Sequence, residues 1–235
     1  GGQGVVSEDC VAIEKLALGS AGSRAEMTGS IAQIDAPVAD LAVKSSIDAA
    51  MVAPLARLDD PVSGTVAVAA TVKGPLSPPA VLARVSSSAL QFRELSNIQL
   101  DADGSYDVAA RRAEVSALRV RGPWGGVSGT GNVALDGSGQ SRMSAAVENL
   151  DAGVVMRALR LSYVAATRIN GKVQAEWPGL DYLRARGTAD ATLQPTASEM
   201  SRSAMPLGGR LVARGTGSQI ETQLIHLAVR GGEVN

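Results

Sequence analysis

The sequence has few aromatic residues, a single cysteine and no excess charge of either sign. Two Trp, three Tyr and one Phe make up 3% of the chain, so the 45% apolar share is mostly Ala, Val and Leu. Small aliphatic residues cover a surface more readily than they fill a thick core, since aromatic side chains supply much of a core's bulk. A lone cysteine, Cys10, forms no internal disulfide and indicates no redox compartment. We expect Cys10 to pack as a small apolar residue.

Other absences exclude classes of function. A formal net charge of −1 without a basic cluster predicts no nucleic-acid partner. His226 is the only histidine and the chain has no Gly-x-Ser-x-Gly elbow, so neither a hydrolase of that design nor a Cys/His metal site has support. No apolar run reaches the ~20 residues that span a bilayer. The ends show no signal peptide and no complete final strand, which predicts an internal piece of a longer protein.

Alternating strands are the main pattern that is present. In "VSALRVRGPWGGVSGTGNVAL", which begins at Val115, Leu118 and Val120 alternate with Arg119 and Arg121. A period of two is typical of a strand with one apolar and one wet face, and Gly-Pro-Trp-Gly-Gly is typical of a turn. The stretch therefore predicts a hairpin. The dipeptides Asp103-Gly104, Asp136-Gly137 and Asn170-Gly171 predict three further hairpin turns.

The hairpin pattern recurs along the chain. Ile13, Leu16 and Leu18 match Val115, Leu118 and Val120 at one constant offset, and a third copy begins with Leu224, Leu227 and Val229. The segments "SIDAAMVAPLARL" and "NLDAGVVMRALRL" also match, with Asp48 and Asp151 placed to cap a short helix. The unit is apolar-x-x-apolar-x-apolar followed by Gly, within a module of several strands and one short helix.

These patterns predict an all-β, mainly antiparallel fold with one or two short helices. Because the chain has little aromatic mass for a second layer, we expect a long meandering sheet that curls lengthwise into an apolar groove. The predicted division assigns nothing to residues 1–10, a first module to 11–110, a second to 111–223 and the start of a third to 224–235.

Several local motifs admit two interpretations. Asp101 to Asp107, "DADGSYD", has alternating carboxylates as in a calcium loop, but the EF-hand spacing fails and a hairpin turn is favoured. Gly125 to Gly131 has no nucleotide-binding spacing, so those glycines are expected to allow close strand approach. Trp124 and Trp177 each neighbour a proline, and we expect rim packing at turns in preference to ligand stacking.

The chain resembles the TamB and AsmA-like family of bacterial envelope proteins. The resemblance rests on "VSALRVRGPWGGVSGTGNVALDG" from Val115, "LDAGVVMRAL" from Leu150 and "GTVAVAATVKGPLSPP" from Gly64. It implies a non-enzymatic, cofactor-free segment of a periplasmic protein anchored in the inner membrane of a diderm bacterium. Its implied role is to carry phospholipid between the two membranes along a β-groove, and to aid outer-membrane protein assembly.

The implied ligands are phospholipid acyl chains, and the implied protein partner is an outer-membrane barrel assembly protein. Membrane contact would be made by parts outside this chain. The repeat predicts the following groove-lining positions: Leu16, Leu18, Leu118, Val120, Val133, Leu135, Leu227 and Val229. It places Lys15, Arg119, Arg121, His226 and Arg230 on the opposite, outward face. The alternative function is a passive structural or adhesive β-repeat array, such as a stalk, with no ligand.

Overall fold

The structure is a computed structural model that describes residues 1–7, 9–20, 22–33, 35–52, 60–137, 139–161, 165–196, 205–216, 219–229 and 232–234. For residue 220 and from residue 222 onward, the backbone is described without the side chains.

One antiparallel sheet makes up most of the described chain, which confirms the predicted all-β fold. Its strands are β1 (Gly2–Val6), β2 (Cys10–Ser20), β3 (Ser23–Ala32), β4 (Val38–Asp48), β5 (Val62–Ser63), β6 (Thr65–Pro75), β7 (Ala80–Phe92), β8 (Leu95–Asp107), β9 (Arg112–Gly122), β10 (Gly125–Ala134), β11 (Gln140–Asp151), β12 (Thr167–Pro178), β13 (Arg186–Pro195), β14 (Leu207–Thr216), β15 (Gln219–Val229) and β16 (Gly232–Val234). The helices are α1 (Ala49–Val52), α2 (Ala152–Ala158) and a 3₁₀ turn at Tyr182–Arg184.

The strand order is a plain meander. Each strand pairs with the next in sequence, except that β4 pairs with β6 and the two-residue β5 pairs with β7. Within the described residues, β1 and β16 each pair with one neighbour, so the sheet is open and not a closed barrel.

The apolar-x-x-apolar spacing of the sequence repeat arises from a β-bulge. Val115 and Leu118 of β9 pair with Gly131 and Gly129, which are only two residues apart on β10. The register shifts at the matching place in β2. A bulge adds a residue to one strand, so side chains three positions apart stay on the same face. The spacing apolar-x-x-apolar therefore indicates a bulged strand whose apolar residues all face one way.

Cross-strand pairing traces rows of side chains along the sheet, because directly opposite residues of antiparallel strands share a face. One row runs through Leu18, Ala25, Ser45, Val68, Val85, Ala102, Leu118, Gly129, Ala145, Val173, Ala189 and Ala213. The adjacent row runs through Gly2, Leu16, Met27, Val43, Ala70, Ala83, Gly104, Val115, Gly131, Met143, Ala175, Gly187 and Gly215. We call the face that carries these rows the inner face.

The sheet curls toward the inner face. Ala70 and Ala83 on this face are half-buried, whereas the neighbouring outer-face residues Ala67 and Ala69 are exposed. The side chain is the same, and no second layer of strands covers either face in the described residues, so curvature accounts for the difference. Inner-face side chains converge, and outer-face side chains splay apart.

Two of the three predicted dipeptide turns are wrong. Asp103-Gly104 and Asn170-Gly171 lie inside β8 and β12. Only Asp136-Gly137 lies between strands, as does the predicted Pro123-Trp124 turn. The predicted hairpin turn within Asp101 to Asp107 is therefore also wrong, because these residues belong to β8. Gly104 and Gly171 are inner-face residues pressed against a neighbouring strand, and an Asp-Gly or Asn-Gly pair does not distinguish that role from a turn.

The predicted helix caps are present. The Asp151 carboxylate accepts a hydrogen bond from the Val154 amide at 3.1 Å at the start of α2. The Asp48 carboxylate accepts one from the Ala50 amide at 3.0 Å at the start of α1. Both helices therefore begin as predicted, at matching places after β4 and β11.

A group of residues connects the two helix regions at the end of the strands where β7 turns into β8. Arg93, in the turn between β7 and β8, donates to the Asp60 carboxylate and to the carbonyl oxygen of Ala158 at the end of α2. Arg160 Nη2 lies 3.2 Å from Oδ1 of the Asp60 carboxylate. We call Asp60, Arg93, Ala158 and Arg160 the clasp.

Candidate functional site: an apolar groove

The inner face has no charged side chain among the described residues of β2 to β14. Its rows consist of Ala, Val, Leu, Ile, Met and Gly, interrupted by a few Ser and by Tyr106 and Trp177. The side chains are mostly half-buried. A curled, uncovered and uncharged face is a groove that suits an apolar ligand.

Most predicted lining residues with described side chains lie on this face. Leu16, Leu18, Leu118, Val120 and Val133 all belong to inner-face rows. Leu18 is 64% exposed near the end of β2, whereas the other four are half-buried.

The remaining three lining predictions have other outcomes. Leu135 follows the last residue of β10 and is 41% exposed, so it lies at the rim and not on the groove floor. The alternation did not reveal that β10 ends at Ala134. Leu227 and Val229 lie in β15, and their side chains are outside the described residues.

The outer face holds the charges. Arg119 and Arg121 are exposed there, and Lys15 forms an ion pair at 3.3 Å with Glu26. The side chain of His226 and all of Arg230 lie outside the described residues.

Outer-face ion pairs connect neighbouring strands. Arg210 Nε donates to Asp190 at 2.9 Å across β13 and β14, and this hydrogen bonding lowers the pKa of the Asp190 carboxyl. The hydrogen bond from Lys15 likewise lowers the pKa of the Glu26 carboxyl. These exposed pairs each contribute little to stability, but they keep the charged face in water.

The groove floor deepens at one place, which we call the niche. It is a cavity of about 80 Å³ lined by the inner-face residues Val115, Leu118, Gly131, Val133, Met143 and Trp177, with Thr130, Asn132 and Arg142 alongside. Gly131 lacks a side chain between Val115 and Met143, and that gap forms the recess. The predicted rim position of Trp177 is wrong, because Trp177 lies within β12 and faces the groove.

Trp124 does pack at the rim. It lies in the turn between β9 and β10, is 8% exposed, and its ring lies against Gly122. Its role is to close the end of that hairpin.

A larger depression, of about 610 Å³, is lined by outer-face residues such as Thr130, Gln174 and Arg186 and by the inner-face residues Gly131, Met143, Ala175, Gly187 and Gly215. Arg142, Arg186 and Arg214 also line this depression, and an acyl chain there would remove water from their charges without giving them partners.

The sequence did not predict the small residues that line the groove floor. Ala83, Gly104, Ala175 and Gly187 lie directly in line with Leu16 and Val115 along the groove. They are neither large nor part of the repeat motif. Only the strand register reveals that they share the face.

The described residues contain neither of two other kinds of feature. They include no group of three or more His, Cys, Asp or Glu placed to hold a metal ion, and no helix there has the length and apolarity needed to cross a membrane. Cys10 is a half-buried free thiol. No protein-family model, no curated protein and no solved structure matches the chain.

Proposed function

We propose that the groove carries phospholipid by holding its acyl chains along the inner face. The observation that supports this most directly is the unbroken pair of uncharged rows that cross from β2 to β14. A passive stalk would gain more from covering that apolar area than from leaving it open to water.

The energetics favour chains over polar ligands. Each methylene moved from water onto an apolar surface is stabilised by about 0.8 kcal/mol, and the described part of the inner face offers no ionic partner that would select a charged group. Lipid headgroups would remain in water at the open side of the groove. Binding that depends only on the buried apolar area does not hold an acyl chain at one position. A bound lipid can therefore move along the groove.

The family resemblance supplies the cellular setting of the proposal. The chain would be a non-enzymatic segment of a bridge-like protein in the periplasm of a diderm bacterium, with its parent anchored in the inner membrane. Phospholipid would pass between the inner and outer membranes. A contribution to outer-membrane protein assembly, through a barrel assembly protein, belongs to the same proposal.

The test is native mass spectrometry of the purified protein, with bound phospholipid counted per chain. We expect lipid on the wild-type protein and on Arg119→Leu, whose change lies on the outer face. Leu118→Arg places an unpaired ion against the acyl chains and should lower the bound lipid severalfold. Circular dichroism should show equal β-structure in all three proteins.

The two neighbouring substitutions make the result specific to the face. Equal lipid on Leu118→Arg and Arg119→Leu would contradict binding on the inner face. A wild-type protein that stays free of lipid after incubation with phospholipid vesicles would remove the carrier function and favour the passive structural array.

A further inference from the structure

We propose that the niche is a discrete station in the groove that accepts the terminal methyl end of an unbranched acyl chain. This inference rests on the proposed lipid function and adds a preferred position and orientation to it. Six inner-face residues line the recess, and Trp177 forms one wall.

The niche is built into the sheet. A Cβ at Gly131 would lie 2.5 Å from the Arg142 carbonyl oxygen and 3.2 Å from the Met143 Cα, so a larger residue there requires backbone movement. The close approach of β10 and β11 thus keeps the floor empty at this point. In the same row Leu16 and Val43 cover the floor, and Gly104, Gly187 and Gly215 also lack side chains, but the recess lies at Gly131.

The chemistry of the niche selects an alkyl end. Arg142 is the one charged residue among the nine that line the niche, and its Nε lies 3.8 Å from the Glu176 carboxylate. At about 80 Å³ the niche is smaller than the roughly 150 Å³ apolar cavity that admits benzene, so a narrow chain fits where a ring does not. Met143, 38% exposed, lies where the niche meets the groove.

Trp177 provides the test, because bromine atoms quench indole fluorescence only at close range. The full chain would be loaded from vesicles of phosphatidylcholine brominated near the chain terminus or near the carbonyl, and then separated from the vesicles. The Trp177 signal is the difference between wild type and Trp177→Phe, which leaves Trp124 buried at the rim as the internal reference. We expect terminal bromines to quench Trp177 at least twofold more than carbonyl bromines.

Two substitutions separate the niche from the rest of the groove. Val133→Phe fills the recess and should abolish the dependence on bromine position while lipid remains bound. Val173→Phe, on the inner face outside the recess, should keep that dependence.

Failure of the niche and failure of the lipid function give different results. Bound lipid with equal or reversed quenching by the two bromine positions would overturn the station and leave the groove. Retention of the position dependence in Val133→Phe would overturn it as well. No bound lipid by mass spectrometry would overturn both proposals.

Discussion

At the scale of single residues, glycine determines how tightly the groove curls. A Cβ at Gly187 would lie 2.3 Å from the Gln174 carbonyl oxygen, and one at Gly131 would lie 2.5 Å from that of Arg142. Both glycines are on the inner face. On the outer face, a Cβ at Gly126 would meet nothing closer than 3.6 Å. At Gly187 and Gly131 the strand backbones therefore come close on the inner side and only glycine fits, whereas a Cβ at the inner-face Gly215 would meet nothing within 4 Å.

This asymmetry predicts opposite effects for the same substitution on the two faces. Gly131→Ala should lower the free energy of unfolding by about 1–3 kcal/mol, because the backbone must shift to admit the methyl group. Gly126→Ala should raise it by about 0.4–1 kcal/mol, because alanine restricts the unfolded chain. Urea unfolding followed by circular dichroism measures both. A loss of equal size in the two variants would contradict the curl toward the inner face.

The residue scale also shows where the sequence was informative. Alternation placed Leu118 and Arg119 on opposite faces correctly, because a strand with one wet face must alternate. The same reasoning could not reveal Gly104 as a floor residue, since Asp-Gly is equally a turn signal. Trp177 was assigned to a turn because it precedes a proline, yet Pro178 ends β12 and leaves Trp177 facing the groove.

At the scale of elements, the repeat marks bulged strands, and the clasp connects residues of the two predicted modules. The apolar-x-x-apolar spacing was detected, but its bulge was not, because a three-residue step has no unique strand geometry until its partner strand is known. Arg93 of the clasp was also missed. It lies far in sequence from Ala158, and no local pattern connects a turn arginine to a distant helix end.

The clasp predicts a pH-dependent contribution from Asp60. The hydrogen bond from Arg93 is the main cause that lowers the pKa of the Asp60 carboxyl, and Arg160 acts in the same direction. Because the folded pKa is below the unfolded one, the contribution is complete above the unfolded value of about 3.9 and is lost as pH falls through the folded value. Asp60→Asn should therefore lower the urea midpoint at pH 7, and its difference from wild type should shrink below about pH 4.

A second carboxylate serves as the control. Asp40 pairs with Lys73 at 3.7 Å but is 69% exposed, compared with 17% for Asp60. Asp40→Asn should leave the urea midpoint nearly unchanged at every pH, since exposed pairs contribute little. A pH-independent loss in Asp60→Asn would show that its effect does not come from the charge.

At the scale of the whole molecule, the groove is a series of equivalent strands. Fifteen strands follow one another along the main path of the sheet. At ~4.8 Å per strand the groove is roughly 70 Å long, which exceeds the ~30 Å hydrocarbon thickness of a bilayer. Under the proposed lipid function, several phospholipids would fit along it and passage would cross each strand in turn. Composition predicted an open apolar sheet of this kind because a chain so poor in aromatic residues lacks the bulk for a second layer.

A path in series predicts that one barrier is enough to stop passage. Val68 and Leu118 lie in the same inner-face row, one in each predicted module. Val68→Arg and Leu118→Arg should each abolish most transfer of a fluorescent phospholipid between donor and acceptor vesicles, because an unpaired ion beside acyl chains is costly. Because resistances in series add, the double variant should transfer about half as much as either single variant does. Ala69→Arg, the matched outer-face change beside Val68, should transfer as wild type does. If each single variant instead keeps about half of the wild-type transfer and only the double variant loses it, the groove holds separate lipid sites and no continuous path.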